Sequence, residues 1–153
     1  MDKVNVGDKA PDFKLPSQNG EIVSLDDFKD KNNIVLYFYP KDNTPGCTIE
    51  ACSFRDHYQD FKDAGAEVIG VSVDSTESHE KFAAAKKLPF ILLSDENGKV
   101  RDDYGVTPSF LGLIPGRVTF VIDKKGIIRY KFSSMLQPAK HIEKTLEILK
   151  HID

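Results

Sequence analysis

The chain has 153 residues, of which 40% are hydrophobic, and this length and composition allow one ordinary globular domain with a substantial core. Its formal charge is −3 and its isoelectric point is about 5.8, so no basic surface indicates a nucleic acid or an anionic membrane as partner. No apolar run approaches the roughly 20 residues of a membrane-spanning helix. The N-terminus has neither a signal-peptide core nor a transit-peptide pattern. We expect one domain over residues 1–153 in the cytoplasm, or a mature chain whose targeting peptide has been removed.

The first predicted elements are two short strands that precede the main fold. Apolar and polar residues alternate weakly on either side of Asn19-Gly20, a dipeptide that favours a hairpin turn. We therefore expect strands at Phe13–Leu15 and Glu21–Ser24. A short helix or turn should follow over Ser24–Lys29, with Ser24 or Asp26 near its cap.

The longest apolar run, Ile34–Tyr39, is made of aliphatic and aromatic residues and is typical of a strand buried on both faces of a sheet. Pro40 ends this strand, and residues 41–46 form a turn rich in Pro, Gly, Asn and Thr. From Thr48 the apolar residues recur at helical spacing, and Gly65 closes the predicted helix.

The rest of the chain alternates strand and helix patterns. In chain order they predict a strand at Glu67–Val73, a helix at Thr76–Lys87 capped by Asp74 or Ser75, a strand at Phe90–Leu93, a brief helix at Gly98–Tyr104, a loop at Val106–Gly116, a hairpin of Val118–Ile122 and Ile127–Phe132, and a helix at Pro138–His151. This order indicates the α/β class, with a mixed sheet covered by helices on both faces.

Cys47 lies at or just inside the first turn of the helix that follows the buried strand. Backbone N–H groups in that turn have no intrahelical partner, and the helix dipole adds about half a positive charge there. Both effects favour the thiolate, which is the nucleophilic form of cysteine. The alternative is an inert buried cysteine, a common state of this residue type.

Cys52 lies five residues later, on what should be the same helix. Five residues of ideal helix separate the Cα atoms by about 8 to 9 Å, whereas a disulfide requires less than about 7 Å. A bond between the two sulfur atoms would therefore require the helix to unwind. The alternative for Cys52 is a small apolar residue on the inner face of the helix.

The string FYPKDNTPGCTIEACSFRD (residues 38–56) has Pro40, Thr44 and Cys47 in the P-x-x-x-T-x-x-C arrangement of the peroxiredoxins. It resembles the bacterioferritin comigratory protein/peroxiredoxin Q branch, in which the resolving cysteine lies five residues after the peroxidatic one. The similarity extends from VGDKAPDFKLPSQNGEIVSL to QPAKHIEKTLEILK, which is nearly the whole chain. It implies a thioredoxin-like fold, with a mixed central sheet flanked by helices and an extra N-terminal β-hairpin.

The resemblance implies a thiol peroxidase that reduces hydrogen peroxide and organic hydroperoxides without a cofactor. Cys47 would become a sulfenic acid, and Cys52 would resolve it as an intramolecular disulfide. The implied reductant is thioredoxin, with glutaredoxin as the alternative, and the implied state is a monomer. The C-terminal string SMLQPAKHIEKTLEILK is closest to the plant and cyanobacterial type, which leaves a plastid as the alternative to the cytoplasm.

Four further residues are candidates for the site. Thr44 could place its hydroxyl at both thiolate and peroxide, or could be a plain helix cap. Pro40 stiffens the turn and also ends the strand. By its place in the family pattern, Arg117 is the cation that would stabilise negative charge, and Glu50 would orient it or simply favour the first helical turn. Without the resemblance, the other arginines would compete for this role, namely Arg55, Arg101 and Arg129.

Other readings of the sequence remain open. A thiol–disulfide oxidoreductase of thioredoxin type is disfavoured because its usual motif is C-x-x-C, whereas this chain has C-x-x-x-x-C. A redox sensor that changes partners through a Cys47–Cys52 switch is the other alternative. We expect no metal site, because the histidines are scattered and the cysteines lack zinc-ribbon spacing. We expect Lys41 and Asp42 on the exposed side of their turn.

Overall fold

The computed structural model describes residues 4–106, 117–133 and 138–152. Two short antiparallel strands come first, β1 (Lys14–Pro16) and β2 (Ile22–Ser24). A 3₁₀ turn at Leu25–Phe28 follows, and the side chain of Asp27 accepts a hydrogen bond from the backbone N–H of Ser24 at its cap. These elements match the predicted hairpin and short helix within about a residue of each boundary.

Five strands form the main sheet in the described residues, in the spatial order β5-β4-β3-β6-β7. β3 pairs in parallel with β4, which pairs in parallel with β5; β6 is antiparallel to both β3 and β7. The bounds are β3 Asn33–Phe38, β4 Ala66–Ser72, β5 Ile91–Ser94, β6 Val118–Ile122 and β7 Ile128–Ser133. The predicted mixed sheet is confirmed.

Five α-helices lie among the described residues: α1 Pro45–Asp56, α2 Tyr58–Asp63, α3 Thr76–Lys86, α4 Lys99–Asp103 and α5 Pro138–Leu149. Ser75 caps α3, since its Oγ accepts a hydrogen bond from the backbone N–H of Ser78. The loop predicted at Val106–Gly116 falls on residues 107–116, which lie outside the described residues.

The core has two halves, one on each face of the sheet, and β3 lies between them with every residue buried. Ile34, Leu36 and Phe38 face the half that contains the N-terminal segment and α4. Val35 and Tyr37 face the half built from α1, α2, α3 and α5. Cys47 belongs to this second half, so the N-terminus of α1 is positioned by the buried strand that precedes it.

The single helix predicted up to Gly65 is wrong, because the chain breaks at His57 into α1 and α2. His57 has φ −105° and ψ 11°, outside the helical range. The break leaves Phe54 and Phe61 both fully buried, with their ring centroids 5.5 Å apart. Neither glycine nor proline marks this position, so the sequence pattern gives no sign of it.

Candidate active site

The N-terminus of α1 places Cys47 in its first turn. The helix begins at Pro45, whose fixed φ suits a first helical position and whose missing N–H costs nothing there. The extended backbone of Thr44 precedes it, with φ −85° and ψ 153°. Cys47 is therefore the third residue of the helix, where backbone N–H groups lack intrahelical partners. Its side chain is almost fully buried, with 1% of its surface exposed.

Arg117 brings a positive charge to the sulfur of Cys47. Its Nη2 lies 3.5 Å from Cys47 Sγ, and its Nη1 donates a 2.6 Å hydrogen bond to Glu50 Oε1. The guanidinium is itself buried, at the start of β6. Gly46 makes room for it, because a Cβ at that position would lie only 2.9 Å from Arg117 Nη2. The arrangement fixes a cation over a cysteine at a helix N-terminus.

Burial governs the ionisation of this cluster. Loss of water around Glu50 raises its pKa to about 8, although the charge and hydrogen bond of Arg117 act in the opposite direction. Burial acts to lower the pKa of Arg117, but Glu50 and Cys47 outweigh it and the pKa is raised. Arg117 thus keeps its charge, while Glu50 exchanges a proton near neutral pH.

The second oxygen of Glu50 faces α5. Glu50 Oε2 is buried and has no hydrogen-bond partner within the described part of the chain. His141 Nδ1 of α5 lies 3.6 Å away, and the same nitrogen is 2.6 Å from the hydroxyl of Thr119 on β6. The phenol of Tyr37 on β3 is also near enough for the charge of Glu50 to raise its pKa, after burial as the main cause. Glu50 is therefore enclosed by three elements besides its own helix.

Thr44 and Pro40 lie in the turn that leads to Cys47. The hydroxyl of Thr44 donates a 2.9 Å hydrogen bond to the backbone oxygen of Lys41, and it makes no side-chain cap on α1. Thr44 is thus the N-cap residue of α1 by its backbone, without the side-chain hydrogen bond of a capping threonine. Pro40 is half-buried directly after β3. Thr44 and Pro40 lie three and seven residues before Cys47 in the chain.

Cys52 is half-buried on α1 and, like Cys47, is a free thiol. The helix is continuous over Pro45–Asp56, so both cysteines lie on intact helical backbone. At this spacing the two Cα atoms are about 8 to 9 Å apart, beyond the reach of a disulfide. A Cys47–Cys52 bond requires at least residues 47–52 to leave the helix.

The expectation of an exposed Asp42 is wrong, although Lys41 is exposed as expected. Asp42 is buried and accepts hydrogen bonds from the hydroxyl of Tyr39 at 2.6 Å and from Ser78 Oγ at 2.8 Å. Its Oδ2 also lies 2.7 Å from Nδ1 of the fully buried His79. Sequence reasoning missed this cluster because Asp42 and His79 are 37 positions apart and no motif connects them.

The other candidate arginines are engaged elsewhere. Arg55 contacts Asp56 and the backbone oxygen of Lys86, and Arg129 contacts Asp123. Arg101 packs its guanidinium near Gly98. Within residues 4–106, 117–133 and 138–152, no group of three or more His, Cys, Asp or Glu side chains could hold a metal ion. No helix in these ranges is long and apolar enough to cross a membrane.

Comparison with known proteins identifies one family throughout. The model of the AhpC/TSA family matches residues 6–131. The chain is 55% identical over 148 residues to the chloroplastic peroxiredoxin Q of Arabidopsis thaliana, which covers 97% of this chain and 68% of the relative.

Solved structures give the same result. Peroxidoxin BcpB of Mycobacterium tuberculosis superposes with a TM-score of 0.90 at 37% identity, over 98% of this chain and 99% of that one. The bacterioferritin comigratory protein of Xanthomonas campestris, which has alkyl peroxide reduction activity, superposes with a TM-score of 0.83 at 30% identity, over 91% and 90%.

Proposed function

Since the chain belongs to the AhpC/TSA family and, within it, to the peroxiredoxin Q proteins, we propose that its peroxidase cycle runs through Cys47 and Cys52. The fold is thioredoxin-like and the protein is a thiol peroxidase, an oxidoreductase. The observation that carries the assignment of roles is the 3.5 Å contact between Arg117 Nη2 and the buried Cys47 Sγ.

In the first half of the cycle, the thiolate of Cys47 attacks one oxygen of the peroxide. An S–O bond forms while the O–O bond breaks, and the departing oxygen leaves as water or an alcohol after it takes up a proton. Arg117 stabilises the negative charge on sulfur and then on the departing oxygen, at a site from which water is largely excluded. Glu50 holds the guanidinium in place through its 2.6 Å hydrogen bond. Thr44 and Pro40 shape the entrance next to the sulfur.

In the second half, the sulfur of Cys52 attacks the sulfenic acid of Cys47. An S–S bond forms and water leaves, so the pair of thiols has supplied two electrons to the peroxide. The N-terminal part of α1 unwinds to allow this bond, because the intact helix holds the sulfur atoms apart. A dithiol protein of thioredoxin type, with glutaredoxin as the alternative, reduces the disulfide and the helix reforms.

The substrates we propose are hydrogen peroxide and organic hydroperoxides. The alkyl peroxide activity of the Xanthomonas campestris relative supports the organic class. Exchange with protein disulfides fits less well, because only 1% of the surface of Cys47 is exposed and a folded protein cannot bring a disulfide to it. A small peroxide needs far less access.

Two further assignments belong to this proposal. We expect a monomer, which a measurement of the molar mass in solution would test. Of the two compartments considered, the plastid takes support from the plant relatives, which are chloroplastic proteins. The comparisons give no support to the cytoplasmic expectation.

The decisive experiment is mass spectrometry after addition of one equivalent of hydrogen peroxide and alkylation of free thiols. We expect the loss of two hydrogens, with both thiols blocked and a peptide that joins Cys47 to Cys52. Cys47→Ser should abolish turnover, whereas Cys52→Ser should react once and then fail to recycle with thioredoxin. Free thiols after treatment, or full turnover by either variant, would contradict the assignment.

A further inference from the structure

A buried polar cluster that the proposed cycle does not use lies on the other side of the turn that leads to Cys47. Its centre is the carboxylate of Asp42, which contacts Tyr39, Ser78 and His79 at 2.6 to 2.8 Å. His79 is fully buried and Asp42 is 5% exposed. A buried polar group costs free energy unless it is paired. The many contacts of Asp42 therefore indicate that this turn residue has a specific role.

Both nitrogens of the His79 ring face acceptors. Nε2 lies 2.9 Å from the backbone oxygen of Leu93, which can only accept a hydrogen bond. Nδ1 lies 2.7 Å from the carboxylate of Asp42. Both ring nitrogens are therefore engaged, one with β5 and one with the turn. Asp42 and His79 form a buried hydrogen-bonded pair between the turn and α3.

The backbone of the same turn has a second attachment. The N–H of Asp42 donates a 2.8 Å hydrogen bond to Asp74 Oδ2, just beyond the end of β4. Ser72 Oγ donates to the same oxygen, and Ser94 Oγ donates to the backbone oxygen of Asp74. Asn43, the next residue, has φ +63°, a left-handed conformation that asparagine tolerates better than most residues. The side chain and the backbone N–H of Asp42 thus both fix the path of the chain from Pro40 to Thr44.

We propose that Asp42 and His79 are positioning residues for peroxide reduction, because their buried contact sets the place of Thr44 and of the first turn of α1 relative to Arg117. This inference rests on the proposed role of Cys47. When α1 unwinds to form the disulfide, the pair also keeps residues 40–44 in place as the fixed end from which the helix reforms. A displacement of about 1 Å in such a site can cost on the order of a hundredfold in rate.

Two substitutions of His79 separate positioning from general stability. The amide nitrogen in His79→Asn takes the place of Nδ1 and can still donate to Asp42, whereas that in His79→Gln takes the place of Nε2 and can donate only to Leu93 O. Both bury a neutral amide in place of the imidazole ring. The rate constant for oxidation of Cys47 by hydrogen peroxide, measured by stopped flow, should fall on the order of a hundredfold in His79→Gln and tenfold in His79→Asn.

The matched control is Tyr104→Phe, which removes a buried hydroxyl that donates a 2.6 Å hydrogen bond to Pro11 O on the opposite face of the sheet. It should lower stability and leave the rate constant unchanged. If the His79 variants do not fold, Ser78→Ala removes one donor to Asp42 and should give a smaller loss of rate.

The outcomes distinguish this inference from the proposed function. A wild-type protein whose Cys47 does not react with peroxide would contradict the proposed function itself. If the wild type reacts with peroxide and the His79 variants react at the wild-type rate, the positioning role alone is overturned. The His79 variants could also fail to fold. In that case a Ser78→Ala variant that reacts with peroxide at the wild-type rate would overturn the positioning role.

Discussion

Two acidic side chains flank Cys47 in the chain, and both contact a buried basic group, yet their surroundings differ. Asp42 has both oxygens engaged, by Tyr39 on one side and by Ser78 and His79 on the other. Glu50 has one oxygen bonded to Arg117, while its Oε2 has no hydrogen-bond partner in the described structure. The carboxyl of Asp42 lies in the turn before the helix, and that of Glu50 lies on the helical segment that must unwind.

This difference in hydrogen bonding indicates which of the two carboxyl contacts persists through the proposed cycle. A fully bonded buried carboxylate resists displacement, because its movement leaves several donors without a partner. A partly bonded one loses less when it moves, and burial has already raised the pKa of Glu50 to about 8. We infer that the Asp42 contact is permanent, whereas the Glu50 contact is made and broken in each turnover.

The largest expected effect is on stability, in a matched pair of amide substitutions. Asp42→Asn replaces an acceptor oxygen by an amide donor that faces the hydroxyl donor of Tyr39 or Ser78, and it breaks a buried pair with His79, so we expect a loss of about 3 to 5 kcal/mol in the free energy of unfolding. Glu50→Gln keeps an acceptor for Arg117 and should cost only about 1 kcal/mol. Urea unfolding of both variants at neutral pH measures the difference, and equal losses would contradict the comparison.

A second prediction concerns the pH dependence of disulfide formation. The carboxyl of Glu50 has a pKa of about 8 in the folded helix and regains its ordinary value of 4.5 when the segment unwinds. The proton held by the helical form thus stabilises it fully below pH 4.5, and this contribution is lost as the pH rises through about 8. Rising pH in this window therefore favours the unwound disulfide form.

Redox titration against dithiol buffers at several pH values measures this effect. One additional proton per two electrons steepens the fall of the reduction potential by about 30 mV per pH unit. We expect the additional slope in the wild-type protein and its absence in Glu50→Gln, which has no proton to release there. Parallel slopes for the two proteins would show that Glu50 does not change ionisation during the cycle.

The smallest expected effect follows from the close approach of Arg117 to Gly46. In Gly46→Ala the new Cβ would lie 2.9 Å from Arg117 Nη2, and the flexible guanidinium would move away from the sulfur of Cys47. We expect the rate constant with peroxide to fall about threefold to tenfold. Stability should be unchanged or higher by up to about 1 kcal/mol, because alanine is the better helix former. If Gly46→Ala reacts at the wild-type rate, the position of the Arg117 guanidinium beside Gly46 is not required for the reaction with peroxide.

Much of the fold and part of the site follow from local sequence. The buried strand Ile34–Tyr39 and the hairpin after Ile122 have composition and spacing that few other structures share, and the structure has them within a residue or two. The string around Cys47 also pointed to Arg117 and Glu50, which the structure brings to the sulfur. These features depend on neighbours along the chain or on a long motif.

The remaining features depend on partners that are distant in sequence. Asp42 looked like a solvated turn residue because two of its partners, Ser78 and His79, are distant in the chain and lie on α3. His141 is one of the scattered histidines that indicated no site, yet it is fully buried with its Nδ1 3.6 Å from Glu50 Oε2. The helix break at His57 involves neither glycine nor proline, so the local sequence does not predict it. Such outcomes are decided by tertiary packing, which overrides local preference.

In the proposed cycle, the position of Glu50 between the two cysteines also means that disulfide formation takes the site apart. A disulfide that unwinds residues 47–52 carries Glu50 away from Arg117 and takes Cys47 off the helix N-terminus, so the oxidised protein has no assembled site for a second peroxide. Each molecule of protein then reduces one molecule of peroxide, a two-electron oxidant, and reacts again only after a dithiol has reduced its disulfide. Excess peroxide cannot drive the closed disulfide on to a sulfinic acid by the same route. In this cycle the supply of dithiol therefore limits the rate of peroxide reduction, and each reduction by dithiol allows one further peroxide to react.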